Sequence, residues 1–369
     1  MAETIRTKVA VVGLGAAGAS ALWALARAGC DAIGIEQAQL AHAEGSSHGQ
    51  TRLLRVAYAE GAKYVPLVRR AIVLWRELEQ ASGATIFHNT GVFYAGSTSR
   101  EFIASSLASA RSFDVRLDEG AAPPHRLQLQ SGWSSFVETE GGFLESDKAL
   151  VALTDQAARL GARVFFDTCV FAMEPRGRGV VLETQAGTVH ADCAVVAPGV
   201  WAGGLIPEIA PHLFAERKVL HWFAGGDRRF SLDGGFKPFL VDIGGECALY
   251  GFPTIDDHGL KIAEHSFADP IAGDIADRAV TRVDVARIET LVRSVLGDLG
   301  PPIESKVCFY PMSRDGHFIV DRLGPIVVGA GLSGHGFKFA PMLGEALANL
   351  ALGREQAVDI GFLSLKRFG

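Results

Sequence analysis

The chain has 369 residues, 48% of them hydrophobic, and 35 basic against 41 acidic side chains give a net charge of −6. That length suits two domains with real cores, and mild acidity with no basic run longer than a pair argues against a nucleic-acid partner. No apolar run reaches the ~18 residues of a membrane span, and the start "MAETIRTKVAVVG" lacks the n- and h-regions of a signal peptide. Five scattered cysteines without a C-x-x-C pair suggest neither a zinc knuckle nor a disulfide framework, so no metal is expected and a reducing cytoplasm is the expected setting.

The first thirty-odd residues carry the strongest local signal. Val9–Val12 is a short continuous apolar run, read as a strand buried on both faces. Gly13-Leu14-Gly15-Ala16-Ala17-Gly18 comes next, then an Ala/Leu-rich helix ending at Gly29 and a second strand, Ala32–Ile35, that finishes on Glu36. In this arrangement Gly13 permits the tight turn, Gly15 lets the backbone approach a pyrophosphate, and Gly18 allows helix and strand to pack closely. The helix N-terminus offers its positive end to the phosphates. Glu36 stands where a carboxylate accepts from a ribose hydroxyl, which favours FAD or NAD over NADP.

The order of elements beyond Glu36 separates those two cofactors. A helix pattern over 62–83 gives way to a β segment at 86–96 rather than to another strand–helix unit. Residues 146–166 read as helix then strand, and 169–199 as a small antiparallel meander feeding the apolar strand 194–197. About a hundred β-rich residues come next, and 317–352 reads as strand, turn, strand, Gly-rich loop, helix. A nucleotide unit built from the first, middle and last thirds is the habit of flavoproteins. The expected fold is mixed α/β: a Rossmann-like FAD-binding domain from 1–85, 145–207 and 305–369, interleaved with an antiparallel β-sheet substrate domain from 86–144 and 208–304. Within "SKVCFYPMSRDGHF" (305–318), the flanks of Cys308 read as a buried strand, where a free thiol packs like a small hydrophobe.

Four segments, "GSSHGQTRLLRVAYAEG" (45–61), "YGFPTIDDHGLKIAEHSF" (250–267), "VCFYPMSRDGHFIVD" (307–321) and "GAGLSGHGFKFAP" (329–341), point one way. With the opening glycines they closely resemble the monomeric sarcosine oxidase and N-methyltryptophan oxidase family, flavoenzymes of the D-amino-acid-oxidase-like superfamily. The resemblance is collinear and runs nearly end to end. It implies an FAD-dependent oxidase of a secondary amino acid, N-methyl or cyclic, that forms an imine and reduces O2 to H2O2, in a monomer. It also implies a covalent flavin, tethered through its 8α-methyl group to Cys308.

The same resemblance distributes roles. Arg55 and Lys338 fall where the family pairs with the substrate carboxylate, a task suited to cations. A lysine near a helix start is electrostatically odd, because that end is already positive, and an anionic ligand explains it better than solvation does. Lys261 matches the lysine that activates oxygen, and His265 shares its face if 260–266 is a strand. Tyr250 and Tyr310 match pocket tyrosines. In the 45–55 loop, Ser46, His48, Thr51 and Arg52 match flavin-contacting positions, although this chain has Ser47 where a second histidine is frequent and Gln50 where an acid is frequent. Further cofactor contacts fall at Val170, Gly199 and Trp201, and along the Gly-rich loop at Gly331, Gly334, His335, Gly336 and Phe337. That loop could aim backbone N–H groups at the negative charge gathered by a reduced flavin. "HWFAGG" (221–226) and "KPFLVDIGGECALYGF" (237–252) are expected to line the substrate pocket, with Asp242 either greeting a substrate ammonium or, the favoured reading, serving as a turn residue beside Gly244-Gly245. A flavin dehydrogenase using an acceptor other than O2, an oxidase of a bulkier amine and a noncatalytic nucleotide-binding module are the competing readings.

Overall fold

The computed structural model describes residues 3–124, 127–245, 247–266 and 275–369. Glu246, in the 237–252 stretch, and Phe267, at the end of 250–267, lie outside the described residues.

The opening motif folds as strand Glu3–Val12, helix Ala16–Arg27 and strand Ala32–Ile35. Val9–Val12 is apolar at every position because both faces of this strand are covered, and all four residues are buried. It pairs in parallel with Ala32–Ile35 on one side and with Gly187–Val196 on the other. Arg163–Phe165 extends the sheet beyond Ala32–Ile35, and Ile326–Ala330 joins beyond Ala194–Val196, both in parallel. Ile319–Leu323 closes that side antiparallel, and the hairpin Val170–Arg176/Gly179–Thr184 fans off the first half of Gly187–Val196. One sheet therefore draws its strands from the start, middle and end of the chain.

Helix Ala340–Leu352 crosses helix Ala16–Arg27, and helices Tyr64–Ser82 and Ser146–Arg159 complete the layer in a single apolar core. The crossing is tight. A Cβ added at Gly344 would lie 2.3 Å from the backbone of Ser20, so only glycine lets the two helices approach this closely.

The second large sheet runs in the order Glu304–Ser313, Leu213–Phe223, Leu260–Ser266, Cys247–Gly251, Phe239–Gly244, Val92–Gly96, Ser134–Glu138, Leu117–Glu119. Its neighbours are antiparallel except where Phe239–Gly244 meets Val92–Gly96. One face packs a phenylalanine-rich core on helix Arg282–Leu296, and the other turns Leu220, Trp222, Ala263 and Cys308 inward together. A small sheet of Thr51–Leu54, Gly142–Glu145 and Phe87–His88 links the halves. The strand bearing Cys308 is bonded along its length to Leu213–Phe223, so a boundary at 305 assigns to the nucleotide unit a strand whose ladder belongs to the other sheet. Among the described residues no helix is long and apolar enough to cross a membrane.

Candidate active site

An elongated cavity of about 390 Å³ lies between the two large sheets. The glycine turn forms one end of it. Gly13 has φ +84°, and a Cβ at Gly18 would sit 1.8 Å from the Gly13 carbonyl oxygen, so Gly18 serves helix–strand contact from outside the wall while Gly13, Gly15, Ala16 and Ala17 line it. Glu36 also lines this end. Burial alone would raise its carboxyl, but His42 and the Leu14 N–H, which donates at 2.7 Å, outweigh that and hold it below the usual range. Val170, Gly199 and Trp201 contribute the wall on the hairpin side.

The 45–55 loop supplies the next stretch. Ser46 and Arg52 line the cavity; His48 and Thr51 are buried just behind it. Arg52 donates to the carbonyls of Ser46, His48 and Thr51 and so holds the loop in its curve. Ser46 Oγ, Thr51 Oγ1 and both ring nitrogens of His48 are buried with no partner in the protein. Orphaned polar atoms cost about 1–3 kcal/mol each unless something bonds them. Ser46 Oγ, on the wall, is the one of these placed to bond a polar group in the cavity, while the His48 and Thr51 atoms lie directly behind it. Burial, reinforced by the charges of Arg52 and Lys261, pushes His48 down to about 3, so its ring is neutral and able both to donate and to accept.

Opposite the loop, the inner face of the second sheet presents a row across four strands. Register puts Leu220 beside Ala263, Ala263 beside Tyr250 and Tyr250 beside Leu240. Cys308 and Tyr310 stand on the adjoining strand, and both line the cavity. The Cys308 sulfur lies 3.9 Å from the Ser46 carbonyl oxygen, and burial raises its thiol. Gly331, Gly334, His335, Gly336 and Phe337 close the cavity from the last strand–helix loop. The ring of Tyr310 packs against Gly334, where any side chain would collide with it. His335 turns its nitrogens to the Tyr58 hydroxyl (2.6 Å) and the Gly316 carbonyl (3.1 Å).

The far end gathers Arg55, Tyr250, His265, Tyr310 and Lys338. Arg55 is 4% exposed; its Nη2 pairs with Glu60 at 2.5 Å, while Nη1 is buried without a partner. Lys338 donates to the His335 carbonyl at 2.7 Å and the Tyr58 hydroxyl at 3.3 Å, and burial pushes its ammonium well below the ordinary lysine value. Burial likewise lowers His265 to about 4, with Arg55, Lys218 and Lys338 acting in the same sense and Glu60 opposing. Tyr250 and Tyr310 both line this end, and burial raises both hydroxyls above the ordinary tyrosine value. Tyr58 and Glu60, which hold the two cations, escape the sequence reading although they stand inside the 45–61 segment, three and five residues past Arg55.

Several expected pocket residues lie elsewhere. Lys261 shares its strand face with His265, but four residues of strand separate the two by about 13 Å. Its ammonium bonds the Gly49 and Thr51 carbonyls beneath the loop, and it is not part of the cavity wall. None of 221–226 lines the cavity: the Trp222 indole donates to Gln50 and His221 meets Ser305. From 237–252, Leu240 and Tyr250 do so. Asp242 stands at the strand end, bonded to the Gly244 N–H and to Arg100 at 2.9 Å.

The model for a family described as FAD dependent oxidoreductase matches residues 8–350. N-methyl-L-tryptophan oxidase of Salmonella heidelberg (strain SL476) is 34% identical, over 97% of this chain and 98% of the relative. Among solved structures, NikD, an unusual amino acid oxidase essential for nikkomycin biosynthesis, superposes with a TM-score of 0.83 at 22% identity, covering 98% of this chain and 97% of that one. L-proline dehydrogenase from P. horikoshii superposes with a TM-score of 0.85 at 18% identity, covering 99% and 98%. Both likenesses are of fold.

Proposed function

Because the chain belongs to the FAD-dependent oxidoreductase family, we propose that it oxidises the C–N bond of a secondary amino acid, N-methylated or cyclic, to an imine, with O2 as electron acceptor and H2O2 as product. The observation that carries this reading is the single cavity that begins at a dinucleotide turn and ends at two buried cations, one with a guanidinium nitrogen awaiting a partner. The N-methyl-L-tryptophan oxidase relative supports the N-substituted class.

FAD, when bound, supplies the two-electron acceptor for the C–N oxidation and hands the electrons on. The Gly13–Ala17 turn and Glu36 suit its adenosine and pyrophosphate, and Ser46, His48, Thr51 and Arg52 suit its polar ring edges. Cys308, whose thiol faces the cavity, is the proposed covalent tether. The substrate's acid group is held by Arg55 Nη1 and Lys338. Burial lowers the Lys338 ammonium, and an anion arriving beside it favours the charged form, so binding strengthens the clamp. His265 stays neutral at physiological pH and can accept from the substrate's amine, while the Tyr250–Tyr310 pair fixes the remaining wall. On this reading the sheet drawn from three parts of the chain is the nucleotide domain and the antiparallel sheet the substrate domain.

Anaerobic titration of the purified yellow protein with a panel of N-methyl and cyclic amino acids tests the proposal through bleaching of the flavin band. Bleaching by at least one panel member is expected; a flavin indifferent to all of them overturns it. One observation favours a second reading, a dehydrogenase with another acceptor: Lys261 is bonded to two loop carbonyls and does not face the cavity. Peroxide release under air against dye reduction under argon separates the two.

A further inference from the structure

The four residues from Arg55 to Tyr58 lie past the end of strand Thr51–Leu54 and have no ladder of their own. Buried backbone N–H groups need acceptors, and here side chains from elsewhere provide them. The N–H of Val56 donates to both carboxylate oxygens of Glu138, at 2.8 and 3.1 Å, and that of Ala57 donates to Glu138 Oε2 at 2.6 Å. Ser109 Oγ takes the N–H of Tyr58 at 2.7 Å. Glu138 is 0% exposed, ends strand Ser134–Glu138 of the second sheet, and receives the Tyr94 hydroxyl at 3.3 Å. Its space is tailored: a Cβ at Gly141 would lie 2.0 Å from Glu138 Oε1.

A buried carboxylate is an expensive way to fill a core. Burial pushes this one up to about 7, against the bonds from Ala57, Val56 and Tyr94 and the charge of Arg55. An apolar side chain would leave two N–H groups orphaned, and an amide would turn its own donor toward one of them. Only an acceptor at both ends satisfies two converging donors. Those donors belong to the two residues immediately after Arg55.

We infer that Glu138 is a positioning residue for substrate recognition: from the second sheet it fixes the backbone that aims the Arg55 guanidinium at the substrate's acid group. The inference rests on the reading that Arg55 receives that group. Arg55 is then held at two points, its Nη2 by Glu60 and its backbone by Glu138, which leaves Nη1 at a set place in the cavity. Losing one anchor costs orientation of the clamp and leaves the chemistry of the ring pocket intact.

The test is a titration of the FAD-loaded protein with acetate, monitored by the shift it causes in the flavin spectrum, beside steady-state kinetics on whichever panel amino acid bleaches the flavin. Glu138→Gln is expected to raise both the acetate dissociation constant and KM about 10-fold, with kcat changed by less than about twofold and FAD content unaltered. Glu138→Asp, which keeps the carboxylate and shortens its reach to the Val56 and Ala57 N–H groups, is expected to move the acetate constant about two- to threefold the same way. Should Glu138→Gln fail to fold, Glu138→Asp decides alone. Unchanged acetate affinity in the folded variants, with Arg55→Lys weakening it, overturns the role of Glu138. Acetate affinity indifferent to Arg55→Lys removes the clamp itself and this inference with it.

Discussion

Cys308 shows how little a residue's neighbours in sequence say about the space it faces. Its strand is apolar, its exposure is 1%, and by packing alone it is one more small core residue. Its sulfur nonetheless faces the cavity between the 46–52 loop and Tyr310. If it tethers the flavin, acid-precipitated protein stays yellow, and Cys308→Ser releases the colour to the supernatant; colour released from the unaltered protein refutes the bond. Lys261 poses the opposite case. Family resemblance puts it at the reacting centre, and the structure shows it bonded to two carbonyls of the 45–55 loop. If it still serves oxygen through that loop, Lys261→Met slows re-oxidation of the bleached enzyme by O2 at least about 10-fold while bleaching by substrate changes little. A fall in FAD content instead would make it a loop fastener. Arg55, Lys338 and His265 are legible through the family resemblance, because the segments that carry it bring them to the cavity. The Gln50–Trp222 and Asp242–Arg100 bonds are not, since each joins side chains more than a hundred residues apart whose meeting depends on strand order.

Among elements, the glycine turn and its helix are the most legible, because strand, turn, helix and acid all lie within thirty residues of one another and obey local rules. The Ala340–Leu352 helix is a different matter. Its composition says helix, but nothing local says that Gly344 must sit against Ser20 of the first helix. Gly344→Ala gains helix propensity and loses that approach, and overpacking of this kind costs about 1–3 kcal/mol against roughly 1 kcal/mol of propensity gained. The variant is expected to melt several degrees lower and to hold FAD less tightly, since the shifted helix begins at the Gly-rich loop. A melting temperature at or above that of the unaltered protein would show that the helices part without strain.

For the molecule as a whole, four histidines set an acid limit. Burial pushes His48 and His335 down to about 3 and His221 and His265 to about 4. Each is neutral in the fold and takes up a proton when released. Above the ordinary value near 6.5 they exact nothing; as pH falls from 6.5 toward 4 the unfolded chain binds protons that the fold refuses. Stability then declines by up to about 1.4 kcal/mol per pH unit for each. Glu138 runs the other way. Raised to about 7, it weighs on the fold above 4.5 and relieves it as pH drops from 7 to 4.5. Four protons against one leave a net loss, so the melting temperature of the FAD-loaded protein should fall steadily between pH 6.5 and 4. A level or rising curve over that window would mean these rings are not neutral in the fold.

The parallel sheet borrows Ile326–Ala330 from near the carboxyl end of the chain, and the loop just beyond that strand forms a wall of the cavity. A polypeptide emerging from the ribosome therefore exhibits its glycine fingerprint early, yet lacks one wall of the cavity until translation is almost over. Closing the cavity becomes a finishing event rather than a nucleating one, and residues 197–325 are made while the Ala194–Val196 edge awaits its partner.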